Sequence, residues 1–135
     1  MFAGTPFQGQ VALVTGGGSG IGYAIARAFL QAGAEVVICG RNPEKLQRAA
    51  ETLSESGPIH AHKCDIRSLD EVSALADQIQ AQCGNLHILV NNAGGQYPAA
   101  AENITPKGFQ AVIQNNLIGT WNVIYTMAHR FFLSA

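Results

Sequence analysis

Four short strand-like runs punctuate this chain, and a helix-patterned segment follows each. The runs cover residues 11–15 (VALVT), 35–39 (EVVIC), 60–64 (HAHKC) and 86–90 (LHILV). From Ser19 to Ala32, Ile21, Ile25, Ala28 and Phe29 recur at helical spacing, and Gly33 stops the pattern. Asn42-Pro43 joins an N-cap to a first-turn proline and opens a helix to about Leu53, where Ser56-Gly57-Pro58 breaks it. Ser68, with Glu71 three residues on, has the form of a capping box. Leu69, Val72, Leu75 and Ile79 supply that helix's apolar stripe, and Cys83-Gly84 ends it. An irregular stretch, 91–105, then leads to a last helix from about Pro106 to Phe132. Strands alternating with helices demand a parallel sheet with right-handed crossovers. LHILV is nearly continuous in apolar side chains, as suits a parallel strand covered on both faces.

The expected fold class is therefore α/β, a Rossmann-like doubly wound parallel sheet. About four strands with flanking helices are present, so the sheet is incomplete. Residues 1–135 read as one domain, with 47% hydrophobic and 13% charged residues, too apolar for disorder. A net charge of −1 gives no basic footprint for nucleic acid and no polybasic patch for a membrane. Cys39, Cys64 and Cys83 form no C-x-x-C pair and read as reduced thiols. The first residues lack a signal-peptide pattern, and no apolar run approaches the ~20 residues of a membrane span. A cytoplasmic protein is the expectation.

Residues 15–22, TGGGSGIG, join the first strand to the first helix, where open α/β sheets hold phosphates. Gly16 lets the backbone turn off the strand. Gly20 leaves room for a pyrophosphate at the helix N-terminus, and Gly22 lets helix and strand pack closely. Ser19 adds a hydroxyl donor. No G-K-[ST] follows, so the loop is not a Walker motif.

The spacing T-G-x-x-x-G-x-G, together with N-N-A-G at 91–94, resembles the short-chain dehydrogenase/reductase family. The likeness runs from Val11 to about Phe132. It implies that Thr15, Gly16, Gly18, Ser19, Gly20, Ile21 and Gly22 hold the phosphates of a nicotinamide cofactor. At the end of the second strand, where an acid would hold a ribose 2′-hydroxyl, this chain has Cys39-Gly40-Arg41-Asn42. The Arg41 guanidinium suits a 2′-phosphate, so NADP(H) is favoured over NAD(H). Asp65, with Ile66, falls where relatives accept a hydrogen bond from the adenine. Asn91, Asn92, Ala93 and Gly94 would run beside the adenosine and tie that loop to the sheet. Asn116 matches the family's helix asparagine, which orders a water in the proton relay. A mid-helix asparagine is locally unfavourable, because its amide competes with the backbone. Its neighbour Asn115 could be a plain surface residue.

His60, His62 and Cys64 alternate along one strand and imitate a metal site, yet the fold covers both faces, and no metal is expected. His87 and His129 read as structural.

The family's reaction also needs a serine and a Tyr-Lys pair, Y-x-x-x-K. Tyr23, Tyr97 and Tyr125 are followed four residues on by Arg27, Ala101 and His129. The expectation is a chain that ends before the catalytic segment, a cofactor-binding half that is inactive alone. The open edge of LHILV would then be a template for association. A genuine short nucleotide-binding module is the other reading. Gly94-Gly95-Gln96-Tyr97-Pro98 and residues 105–113 (TPKGFQAVI) resemble the acyl-thioester branch of the family, the enoyl-CoA reductases. That implies hydride addition from NADPH to an enoyl thioester, part of fatty acid metabolism, with Gly95 and Gln96 by the nicotinamide end. A 3-ketoacyl reductase or hydroxy-compound dehydrogenase stays open. The resemblance also implies a homo-oligomer.

Overall fold

A computed structural model describes residues 3–95 and 98–133. Its strands are β1 (Val11–Thr15), β2 (Glu35–Gly40), β3 (Ile59–Lys63) and β4 (Ile88–Val90). Its helices are α1 (Gly20–Gln31), α2 (Pro43–Leu53), α3 (Leu69–Cys83), α4 (Pro106–Ile113) and α5 (Gly119–Met127). All strand pairings are parallel, in the order β3-β2-β1-β4.

Alternate residues of the central strands feed two cores. Ala12 and Val14 of β1 and Val36 and Ile38 of β2 pack with Ala26 and Leu30 of α1 and Leu46, Ala49 and Leu53 of α2. Val11, Leu13, Val37 and Cys39 face the other way, onto Val72, Leu75 and Ile79 of α3 and Val123 and Met127 of α5. Helices thus cover both faces, as a doubly wound sheet requires. Leu13 and Ile38 are wholly buried, and truncating either to alanine removes packing worth about 2–5 kcal/mol.

Several expectations need correction. β4 spans only Ile88–Val90, and its residues are half-buried because β4 is the sheet's edge among the described residues. Just before β4, Val11 O accepts the His87 N–H at 2.9 Å, and the Val11 N–H goes to Nδ1 of the same His87 at 2.9 Å. On α1, Gly22, Ala26 and Leu30 point inward, while Ile21 is 75% exposed. Of the expected stripe, Ile25 and Phe29 pack against the core from its margin, and Ile21 does not. On α3, Ala76 joins Val72, Leu75 and Ile79, and Leu69 is exposed.

Ser68 caps α3 by accepting the Glu71 N–H at 3.2 Å, but the Glu71 carboxylate does not return the bond. It accepts the N–H of Asp65 at 3.2 Å, holding the turn after β3. The last helix is not one uniform α-helix. Wide π-type turns, Gln114–Ile118 and Ala128–Phe132, interrupt it. Phe131 is buried and Phe132 exposed.

Candidate functional site

The strand order reverses at β1, with β2 on one side and β4 on the other. A crevice opens at the carboxyl ends of strands at such a switch point. Here it is a cavity of about 390 Å³. Of the residues singled out in the sequence, Gly16, Gly18, Ser19, Arg41, Asp65, Ile66, Asn92, Ala93 and Gly94 line it.

The glycine loop forms one wall. Gly16 donates its N–H to Cys39 O at 2.9 Å, which fastens the loop to β2. Ser19 is the N-cap of α1, yet its hydroxyl makes no capping bond, so the first-turn N–H groups and this hydroxyl are open to an anion. Gly20 has φ +57°, a backbone shape that favours glycine, and nothing lies within 4 Å of where its Cβ would be. Gly22 is different. A Cβ there would stand 2.3 Å from Gly16 O and 2.4 Å from Asn92 Nδ2. Its missing side chain is what lets α1 dock on the loop.

Thr15 is buried behind this wall and outside the cavity. Its hydroxyl donates to Val90 O at 3.4 Å and accepts the N–H groups of Asn92 at 3.0 Å and Ala93 at 2.9 Å. Asn92 Nδ2 also donates to Gly16 O at 3.2 Å. Asn92 and Ala93 therefore tie the 91–94 segment to β1 and to the glycine loop together. Gly20, Ile21, Gly22 and Asn91 are likewise not among the lining residues.

The opposite wall carries charge. Arg41 is exposed at the end of β2, and Lys45, in the first turn of α2, lines the same cavity. Sequence reading missed Lys45. The available signal was its place three residues after the N-cap Asn42, whose side chain accepts the Lys45 N–H at 3.1 Å. Among the described residues, no acid lines β2's end of the cavity, and Asp65, after β3, is the only carboxylate that lines it.

Asp65 is gripped by its neighbour Arg67. The guanidinium donates to both carboxylate oxygens, through Nε to Oδ1 at 2.9 Å and Nη2 to Oδ2 at 2.6 Å, and the Arg67 N–H donates to Oδ1 at 3.0 Å. Those bonds, then the charges of Arg67 and Arg41, outweigh burial and hold the Asp65 carboxyl at about 2. It is fully ionised at neutral pH and retains lone pairs for a further donor.

Cys39 and Cys64 lie at the back of the cavity, buried. Their mutual hydrogen bond, then burial, pushes the Cys39 thiol well above its usual range, so it stays protonated and behaves as a small apolar group.

Asn115 lines the cavity, so it is not a plain surface residue. Asn116 lies beside it in the same wide turn and is exposed. Its amide meets the backbone of Gly95: the Gly95 N–H donates to Oδ1 at 2.9 Å, and Nδ2 donates to Gly95 O at 2.7 Å. Gln96 and Tyr97 lie outside the described residues. His60, His62 and Cys64 do not converge. His60 bonds Glu35 and His62 bonds Gln82, while Cys64 faces Cys39. No helix among the described residues is long and apolar enough to cross a membrane.

Known proteins share this arrangement. Residues 10–133 match the short chain dehydrogenase family. A peroxisomal 2,4-dienoyl-CoA reductase from Arabidopsis thaliana is 39% identical over 120 residues, 87% of this chain and 40% of the relative. A citronellol catabolism dehydrogenase from Pseudomonas aeruginosa superposes with a TM-score of 0.91 at 40% identity, over 97% of this chain and 54% of that one. The RhlG/NADP active-site complex of the same organism superposes with a TM-score of 0.85 at 38% identity, over 90% of this chain and 49% of that one. The chain thus spans about half the length of these proteins or less. Its sheet order, its glycine loop and this match agree: the chain belongs to the short chain dehydrogenase family of oxidoreductases.

Proposed function

We propose that this chain is the cofactor-holding part of an NADP(H)-dependent reductase of unsaturated acyl thioesters. The observation that carries the cofactor choice is the pairing of Arg41 and Lys45 on one cavity wall, with no acid at the end of β2. Two cations there favour a 2′-phosphate, and the missing acid removes the partner of a bare 2′-hydroxyl.

In this reading, the N–H groups at the start of α1 and the Ser19 hydroxyl hold the pyrophosphate, with Gly16, Gly18 and Gly20 leaving it room. Asp65 accepts from the adenine amino group, and Ile66 packs against the ring. Asn92, Ala93 and Gly94 flank the adenosine. The bound cofactor supplies hydride. Asn115 and Asn116 stand toward the reacting end, where Asn116 fixes Gly95 and orders a water.

The acyl-thioester assignment rests on the 94–98 and 105–113 segments and on the dienoyl-CoA reductase relative. None of the three tyrosines has a lysine four residues on, so the proton donor belongs to chain beyond these 135 residues. In the longer protein the substrate is a 2-enoyl- or 2,4-dienoyl-CoA, and the assembly is a homo-oligomer.

The test has two arms. Nicotinamide fluorescence of the 135-residue chain should show tighter binding of NADPH than of NADH, and equal affinities would overturn the NADP(H) assignment. NADPH oxidation with a trans-2-enoyl-CoA or 2,4-dienoyl-CoA acceptor should not exceed background. Turnover that scales with protein would refute the division between a cofactor half and a catalytic half.

A further inference from the structure

The opposite end of the sheet carries a second cluster. Glu35 opens β2, His60 lies at the start of β3, and Cys83 closes α3. Val37 pairs with His60 in register, so Glu35, two residues before Val37, projects to the same face as His60. The core shows that α3 covers this face, and its last residue brings the thiol alongside. A carboxylate oxygen, an imidazole nitrogen and a sulfur then all lie within 4.8 Å of one another. His60 Nε2 and Glu35 Oε2 are 2.8 Å apart. All three residues are half-buried.

We propose that Glu35, His60 and Cys83 form a binding site for a divalent transition-metal ion, zinc being the best match. Mixed sulfur, nitrogen and oxygen donors suit zinc, whereas calcium and magnesium take oxygen alone. Zinc bonds of about 2.0–2.3 Å put tetrahedral ligand atoms roughly 3.3–3.8 Å apart. The cluster's spread brackets that range, so the His60–Glu35 contact need open only by about half an ångström.

Three protein ligands leave a fourth position. Glu35 and Cys83 border a depression of about 320 Å³ from which solvent can fill it. Among the described residues, no lysine or arginine lines this depression to compete for Glu35. His87 lines it too, but its Nδ1 already accepts the Val11 N–H at 2.9 Å. With Nδ1 engaged by that N–H, His87 is not counted among the ligands. Sequence alternation had drawn His60 into a set with His62 and Cys64; the fold gives it Glu35 and Cys83 instead.

The test is calorimetric titration of zinc into the reduced chain, followed by absorption spectroscopy with cobalt(II). One equivalent should bind. The cobalt form should show four-coordinate visible bands and a near-ultraviolet thiolate charge-transfer band. Cys83→Ser should abolish that band, and His60→Gln or Glu35→Gln should each weaken zinc binding by about 100-fold. His62→Gln, on the same strand, should change nothing. NADPH affinity should be equal in all four variants, which keeps this site separate from the nucleotide cavity. Absence of saturable zinc binding would overturn the proposal. So would a thiolate band that survives Cys83→Ser, since the ion would then sit at Cys39 and Cys64. Should Cys83→Ser fail to fold by circular dichroism, Glu35→Gln and His60→Gln decide, and wild-type affinity in both refutes the site.

Discussion

Asn116 and Gly95, twenty-one residues apart in sequence, form a two-bond clasp in which the side-chain amide both accepts and donates. The clasp joins the wide turn of the last helix to the segment after β4. Asn116→Ala should remove two exposed hydrogen bonds, each with a net worth of about 0.5–1.5 kcal/mol. A loss of about 1–2 kcal/mol in urea denaturation is expected, with weaker NADPH binding. Unchanged stability would mean that the clasp does not persist in solution.

Thr15 makes a sharper case because it is buried. Thr15→Val keeps the shape but removes the acceptor for the Asn92 and Ala93 N–H groups. An unpaired buried donor costs about 1–3 kcal/mol. Chemical denaturation should show a loss of at least that size, and hydrogen exchange at Asn92 and Ala93 should quicken.

Gly22→Ala tests the loop's packing. The new methyl would meet Gly16 O and Asn92 Nδ2 inside van der Waals contact. The Asn92 amide could turn aside, but Gly16 O and C are backbone, so the loop or α1 must move. We expect a drop in Tm and at least about a tenfold loss of NADPH affinity, because a shifted loop spoils the N–H array at the helix end. Wild-type values for both would show that α1 does not need that contact.

Arg41→Asp and Lys45→Glu should each weaken NADPH binding more than NADH binding, since each removes a phosphate partner and adds like charge. Comparing the two cofactors by fluorescence titration isolates the 2′-phosphate. Equal losses for both would place the cations elsewhere on the cofactor.

Asp65 predicts a pH window. Its folded pKa of about 2 lies below the ordinary 3.8. The unfolded chain therefore takes up the proton first as pH falls. The stability from the Arg67 fork is fully present above about pH 4 and is lost between there and about pH 2. Arg67→Ala should bring Asp65 back toward the ordinary value and flatten that part of the stability curve. Carboxyl titration by NMR and denaturation across the same range would check both.

Much of this architecture is written locally. The apolar runs at β1 and β2, the Asn42-Pro43 start of α2 and the Ser68 cap of α3 depend on neighbours within four residues, so the sequence by itself determined them. The form of the glycine loop was equally legible, because a sharp turn off a strand and close helix packing require glycine at fixed spacing. Tertiary structure decided what depends on partners far along the chain. The Val11 N–H meets the His87 ring only once β4 pairs with β1, and Gly22 comes against Gly16 and Asn92 only once α1 docks on the loop. Lys45 joins the cavity only once α2 docks beside β2, and Asn116 finds Gly95 only once α5 packs beside α3 on the sheet. His60 shows the same division. Strand alternation dictates which way it points, but the parallel register and the docking of α3 bring Glu35 and Cys83 to it. Local propensity acts through adjacent backbone, whereas a site is assembled by packing between segments that sequence spacing cannot relate.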